Sequence, residues 1–176
     1  CLWVLCSSSV DIARQAVKAG IVLALRRLPI DKMRWGASVL QILLVTDKIN
    51  RDIISNEYGD DILEQMLIFM MRSNVVSLMS YGALGAARCA ITTSGSYRLV
   101  HVNGCLETMF QLLSSTNDLE TQVHTARALL NLSKSKNIQE QMASIGLYTL
   151  IECSWSPTCE EARMVINGIL HNIKNN

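Results

Sequence analysis

Residues 96–133 read SYRLVHVN, then Gly104, then CLETMFQLL, a polar SSTN, and DLETQVHTARALLNLS. A short segment stops before the glycine, a second apolar one follows it directly, and a longer one closes the unit. The long segment carries Val123, Ala126, Leu129, Leu130 and Leu132 at helical spacing, so it predicts an amphipathic helix. The glycine suits the end of the short helix, where a left-handed residue is needed and only Gly adopts that conformation freely. The same arrangement recurs around Gly20 (QAVKAGIVLAL), Gly59 (ISNEYGDDILEQML) and Gly146 (MASIGLYTLI), with gaps of 39, 45 and 42 residues between the four glycines. Self-similarity at that period is the mark of a stacked helical solenoid, in which each unit buries its apolar face only against its neighbours.

Dividing the chain at its loops gives a remnant at 1–9 and four units near 10–49, 50–94, 95–136 and 137–176, each expected to hold three helices. Asn137-Ile138-Gln139-Glu140 and Thr158-Cys159-Glu160-Glu161 have the capping-box form expected at helix starts. Pro29 and Pro157 fall between second and third helices, where a break is wanted. The second unit is the weakest. Its closing helix, SLMSYGALGAARCAI, contains Gly82 and Gly85, each costing about 1 kcal/mol relative to Ala in a helix interior. Close packing between neighbouring backbones would offset that cost; a kink is the alternative.

Composition agrees with helices. Hydrophobic residues make up 49% of the 176 residues, enough for a sizeable core, while three Trp, four Tyr and two Phe are few for a sheet protein. A net charge of +1 argues against a nucleic-acid tract or a polybasic anchor. No charge-free stretch approaches the ~20 residues of a transmembrane helix. The six cysteines form no CxxC pair, and the expectation is buried free thiols in an intracellular, cytoplasmic setting rather than a disulfide framework. A start without Met, in apparent mid-helix, predicts a piece of a longer chain.

NIQEQMASIGLYTLI, the preceding QVHTARALLNLS, and the opening LWVLCSS resemble armadillo repeats, and the resemblance extends over essentially the whole chain. HEAT repeats differ in having two helices and no glycine between a short first helix and a second. The resemblance implies an all-α right-handed superhelix whose third helices line a concave face, with a partner lying along them. Aligning the third helices puts Ser7, Gln41, Arg88, Asn131 and Asn172 on one rung. In nuclear-import armadillo proteins this rung is an Asn that binds the peptide backbone, with a Trp one turn earlier. Here that second rung reads Trp3, Ala37, Leu84, Arg127 and Gly168, so a lysine-rich ligand does not fit the pattern. A solvated helix face would carry the same polar residues.

No nucleophile elbow, phosphate loop, dinucleotide fingerprint or HExxH is present, and neither catalytic residues nor a cofactor are expected. His101 and Cys105 are four apart, but Gly104 separates them, and no metal site is expected. The Met-rich run at Met66, Met70 and Met71 predicts core packing in a second helix. The basic cluster Arg26, Arg27, Lys32 and Arg34 and the acidic Asp60, Asp61 and Glu64 predict solvated or helix-end charges. The expected function is a protein-interaction scaffold. Its candidate partner-binding residues are Arg34, Gln41, Tyr81, Arg88, His124, Arg127, Asn131 and Asn172. Arginines on that face, with no carboxylate on either rung, predict an acidic or neutral protein or peptide partner. A regulatory arm of a larger enzyme and a membrane-associated scaffold are the alternatives.

Overall fold

The computed structural model describes the backbone of residues 2–29, 32–59, 61–155 and 160–174, and among these every regular element is a helix. The chain divides into two compact units, Cys1–Met66 and Leu67–Asn176.

In the first unit the helices are α1 (Leu2–Ser8), α2 (Val10–Lys18), α3 (Ile21–Arg26), α4 (Met33–Thr46) and α5 (Lys48–Tyr58), followed by the start of α6 (Ile62–Met71). Ser9 opens α2 by accepting from the Ile12 N–H, and Gly20, at φ +79°, turns the chain into α3. Helix α4 packs on α1, α3 and α5 around Cys6, Leu40, Leu43 and Ile54. Asp47 does three jobs where α4 gives way to α5. Its carboxylate accepts backbone bonds from Ile49 and Asn50 and a forked pair from Arg14 of α2, at 2.7 and 3.2 Å. Asn50 is fully buried beside this junction, and neither of its side-chain amide atoms has a hydrogen-bond partner.

The second unit holds the rest of α6, then α7 (Val76–Cys89), α8 (Thr93–His101), α9 (Cys105–Ser115), α10 (Leu119–Leu132), α11 (Lys136–Trp155) and α12 (Glu160–Lys174). Helix α10 packs against both α7 and α12, while α9 packs against α10 and α11. Thr92 and Asp118 cap α8 and α10 through the N–H groups of Gly95 and Thr121. A hydrogen bond recurs along the chain. Ser96 Oγ donates to the Ala90 carbonyl, and 43 positions on Gln139 Nε2 donates to the Ser133 carbonyl. Each ties the start of a first helix to the end of the third helix before it, where orphan carbonyls need donors. The periodicity seen in the residues is thus repeated in the bonding.

Gly82 and Gly85 mark close packing rather than a kink, since α7 is continuous through both. A Cβ on Gly82 would lie 2.7 Å from the Leu67 carbonyl oxygen, and one on Gly85 would meet the Leu67 side chain. Met66, Met70 and Met71 are buried, as a core reading requires. Arg26, Arg27, Lys32 and Arg34 are exposed. Glu64, expected at a helix end, is in the first turn of α6 but only 1% exposed. Cys6 and Cys105 are buried free thiols and Cys89 is half-buried.

Two expectations need correction. Gly20, Gly59 and Gly104 have positive φ, but Gly146 lies inside α11, which runs unbroken from Lys136 to Trp155. The first two helices of the last unit are therefore one. A helix-interior glycine costs only about 1 kcal/mol, less than the packing of a long helix returns. The capping box at Asn137 is also displaced: α11 begins at Lys136, two residues before a cap at Asn137 would start it, and Ser135 supplies the carbonyl that accepts from Ile138 and Gln139. Pro157, Thr158 and Asp60 lie outside the described residues, as do the side chains of Trp3, Cys1, Cys153 and Cys159.

Candidate functional site

Six of the eight expected binding residues belong to the second unit, on α7, α10 and α12. Arg88 lies in the last turn of α7 and is exposed, while Tyr81, two turns earlier, is half-buried. On α10 the stripe continues as His124, Arg127 and Asn131, spaced three and four apart and so on one side of the helix. Arg127 is exposed; the His124 side chain keeps only 13% of its surface. The imidazole Nε2 is 3.5 Å from Glu120 Oε1, and Nδ1 is buried without a partner.

Asn131 and Asn172 are half-buried, and both span neighbouring helices. Asn131 Nδ2 donates to the Ala87 carbonyl at 3.2 Å, joining α10 to the end of α7. Asn172 Nδ2 donates to Ser133 Oγ at 3.0 Å, joining α12 to the end of α10. The two bonds make the same step from one third helix to the one before it. The Asn131 carbonyl oxygen accepts from Lys134 Nζ at 2.9 Å. An amide has two donor hydrogens and two acceptor lone pairs, so this arrangement leaves Asn131 one of each. That is the complement of a peptide backbone, and the two bonds already made hold the amide plane in place.

Leu129 and Leu132 are fully buried, and Leu130 is half-buried like Asn131. Arg34 and Gln41 belong to α4 of the first unit and are exposed; the Arg34 guanidinium sits 4.8 Å from the ring of its neighbour Trp35. Ser7 is exposed, with its hydroxyl turned back to the Val4 carbonyl. On the second rung, Ala37 is buried, Leu84 and Gly168 are half-buried and Arg127 is exposed.

Two charged neighbours escaped the sequence reading. Glu120, one turn before His124, puts a carboxylate at the start of the α10 stripe, and Lys134 adds a cation just past its end. The face is therefore graded, with its positive charge towards the C-terminal end of α10. The spacing of Glu120 and His124 was visible; Lys134 lies in a turn, which helix periodicity does not address. His101 and Cys105 point to different fates. His101 is exposed with Nδ1 donating to the Tyr97 carbonyl at 2.7 Å. Cys105 is buried, and burial, with a smaller push from Glu107, raises its thiol to about 12. No group of three or more potential metal ligands occurs among the described residues.

Among solved structures, the chain is similar to a crystal structure described as that of an engineered protein, a structural-genomics target. The two are 21% identical, with a TM-score of 0.69 over 98% of this chain and 70% of that one. At that identity the likeness concerns the fold alone. No family model matches the chain, and no curated protein matches it. No helix among the described residues is long and apolar enough to cross a membrane.

Proposed function

We propose that this chain is an interaction scaffold of stacked armadillo-like repeats, holding an extended segment of another protein along its third helices. The observation that carries the reading is the matched pair of amide bonds, Asn131 to Ala87 and Asn172 to Ser133. Both set an amide at the seam between successive third helices, and Asn131 keeps a donor and an acceptor for a backbone. The armadillo-like form belongs to the same proposal, as does a binding role for Arg34 and Gln41 on α4 of the first unit. No chemistry is assigned to the chain itself: it binds, and its partner acts.

Arg88 and Arg127 favour an acidic or neutral segment, because guanidinium groups hold carboxylates through paired charge-assisted bonds and repel lysine. The test is affinity capture from a cell extract with the chain and with its Arg88→Glu/Arg127→Glu variant. The proposal expects a captured protein that the variant loses, at nearly unchanged helicity and melting temperature, since exposed charges contribute little to stability. Equal capture by both forms would remove the third-helix face as the site.

A further inference from the structure

A groove of about 610 Å³ opens between α8 and α11; Asn131 is among its lining residues, and Arg88 and Arg127 are not. Its floor includes Ala90 and Ile138, both buried, and Ile91 and Tyr97 stand at its rim, 69% and 64% exposed. Such exposure is unusual for two large side chains flanking one depression, and it leaves apolar surface available to an incoming group. The lining has a definite charge. Lys134 is the lysine of its lining, and no Arg, Asp or Glu lines it. On α11 the first turns sort their side chains: Asn137 and Gln141 face this groove, while Lys136 and Glu140 line a separate, smaller depression with Ile173.

The Lys134 and His101 side chains are both held in place. Lys134 Nζ donates to Asn131 Oδ1, and an ammonium has two further hydrogens to give. The His101 ring lies 3.9 Å from the Tyr97 ring, and its Nδ1 is committed to the Tyr97 carbonyl, which leaves Nε2 as the nitrogen available to a ligand. An apolar trough flanked by a fixed ammonium and amides, with no competing carboxylate, complements a segment that pairs an apolar side chain with an acidic one.

We infer that the α8–α11 groove is a second docking site, taking an acidic and apolar peptide segment of a partner protein. The apolar side chain enters between Ile91 and Tyr97, and a neighbouring carboxylate meets the Lys134 ammonium. The inference rests on the reading of the chain as a peptide-binding scaffold and shares Asn131 with the third-helix site, but it uses neither Arg88 nor Arg127.

The experiment follows backbone amide resonances of the whole 176-residue chain during titration with acetyl-Glu-Leu-Glu-Phe-Glu-amide, with acetyl-Lys-Leu-Lys-Phe-Lys-amide as the opposite-charge probe. The acidic peptide should shift the amides of Ile91, Tyr97, Ser135 and Asn137 saturably, with a dissociation constant below about 1 mM. The basic peptide should leave them in place. Lys134→Glu and the charge-removing Lys134→Met should each weaken binding about tenfold or more, and the exposed Tyr97→Ser should do the same without touching charge. Arg88→Glu/Arg127→Glu should change it less than about twofold. Absence of shifts, equal binding of the two peptides, or indifference to Lys134 and Tyr97 would each overturn the inference. Shifts centred on Arg88 and Arg127 would overturn it too, yet favour the third-helix site. The capture experiment can fail while this groove still binds, so the two readings are separable.

Discussion

The Arg72 guanidinium fills the space that a side chain on Gly104 would need: a Cβ built there would lie 2.5 Å from Arg72 Nη2. That nitrogen donates to the Asn103 carbonyl at 2.6 Å, and Nε donates to Thr108 Oγ1 at 2.9 Å. Thr108 in turn donates to the Gly104 carbonyl. An arginine at the end of α6 thus closes the turn between α8 and α9 from outside, and the turn must lack a side chain to admit it.

Gly104→Ala should therefore cost more than Gly20→Ala. Both positions are left-handed, at φ +70° and +79°, so both carry a backbone penalty of about 1–2 kcal/mol. A Cβ at Gly20 meets nothing within 4 Å, whereas at Gly104 it displaces Arg72 and its two bonds. Urea unfolding of the two variants measures the difference. Equal losses would show that Arg72 contributes nothing to the turn.

Asn50→Leu should stabilise the protein. The amide is fully buried with neither atom bonded, and an unmade hydrogen bond in that position costs about 1–3 kcal/mol. Leucine keeps the same branched heavy-atom skeleton and has no polar atom to satisfy. A rise in urea midpoint of the size expected for about 1 kcal/mol or more checks this; a fall would mean that the buried amide has a partner.

Acid should weaken the Arg14–Asp47 junction. The guanidinium hydrogen bonds hold the Asp47 carboxyl below its ordinary value, and the N–H groups of Ile49 and Asn50 act the same way. A carboxyl lowered by folding stabilises the native state above its unfolded value, about pH 4, and that contribution disappears as pH falls through the folded value. Asp47→Asn should thus reduce stability at neutral pH, with the gap to the parent chain closing below about pH 4. Melting curves across that range test it, and a gap that persists in acid would assign the loss to something other than charge.

Cys105 should resist alkylation in the folded protein. Burial raises the thiol to about 12, so almost no thiolate exists at about pH 8, and the reagent has no path to it. Cys89, half-buried, should label before the buried Cys6 and Cys105. Mass spectrometry after timed iodoacetamide exposure would show the order. Rapid labelling of Cys105 without loss of helicity would contradict its placement.

Much of this was legible because some positions admit one residue type. Gly20, Gly59 and Gly104 could be read as turns since a left-handed backbone selects glycine. Gly146 has the same flanking pattern, and nothing local distinguishes a glycine that ends a helix from one tolerated inside it. Gly82 and Gly85 announced an anomaly in α7, but that Leu67 lies against them depends on how α6 crosses that helix. The polar rung was visible from alignment alone. What Asn131 does with its amide was not, because its partner is 44 residues away. The α8–α11 groove escaped notice for a similar reason. Ile91, Tyr97 and Lys134 occupy three different segments and share no period.

The unbroken course of α11 has a mechanical side. At 1.5 Å per residue its 20 residues make a rod about 30 Å long, with Asn137 and Gln141 at one end and Trp155 at the other. A turn at Gly146 would have been a joint able to absorb a tilt. Without it, any rotation imposed on the first turn by an occupant of the groove is carried to the far end, multiplied by the length of the lever.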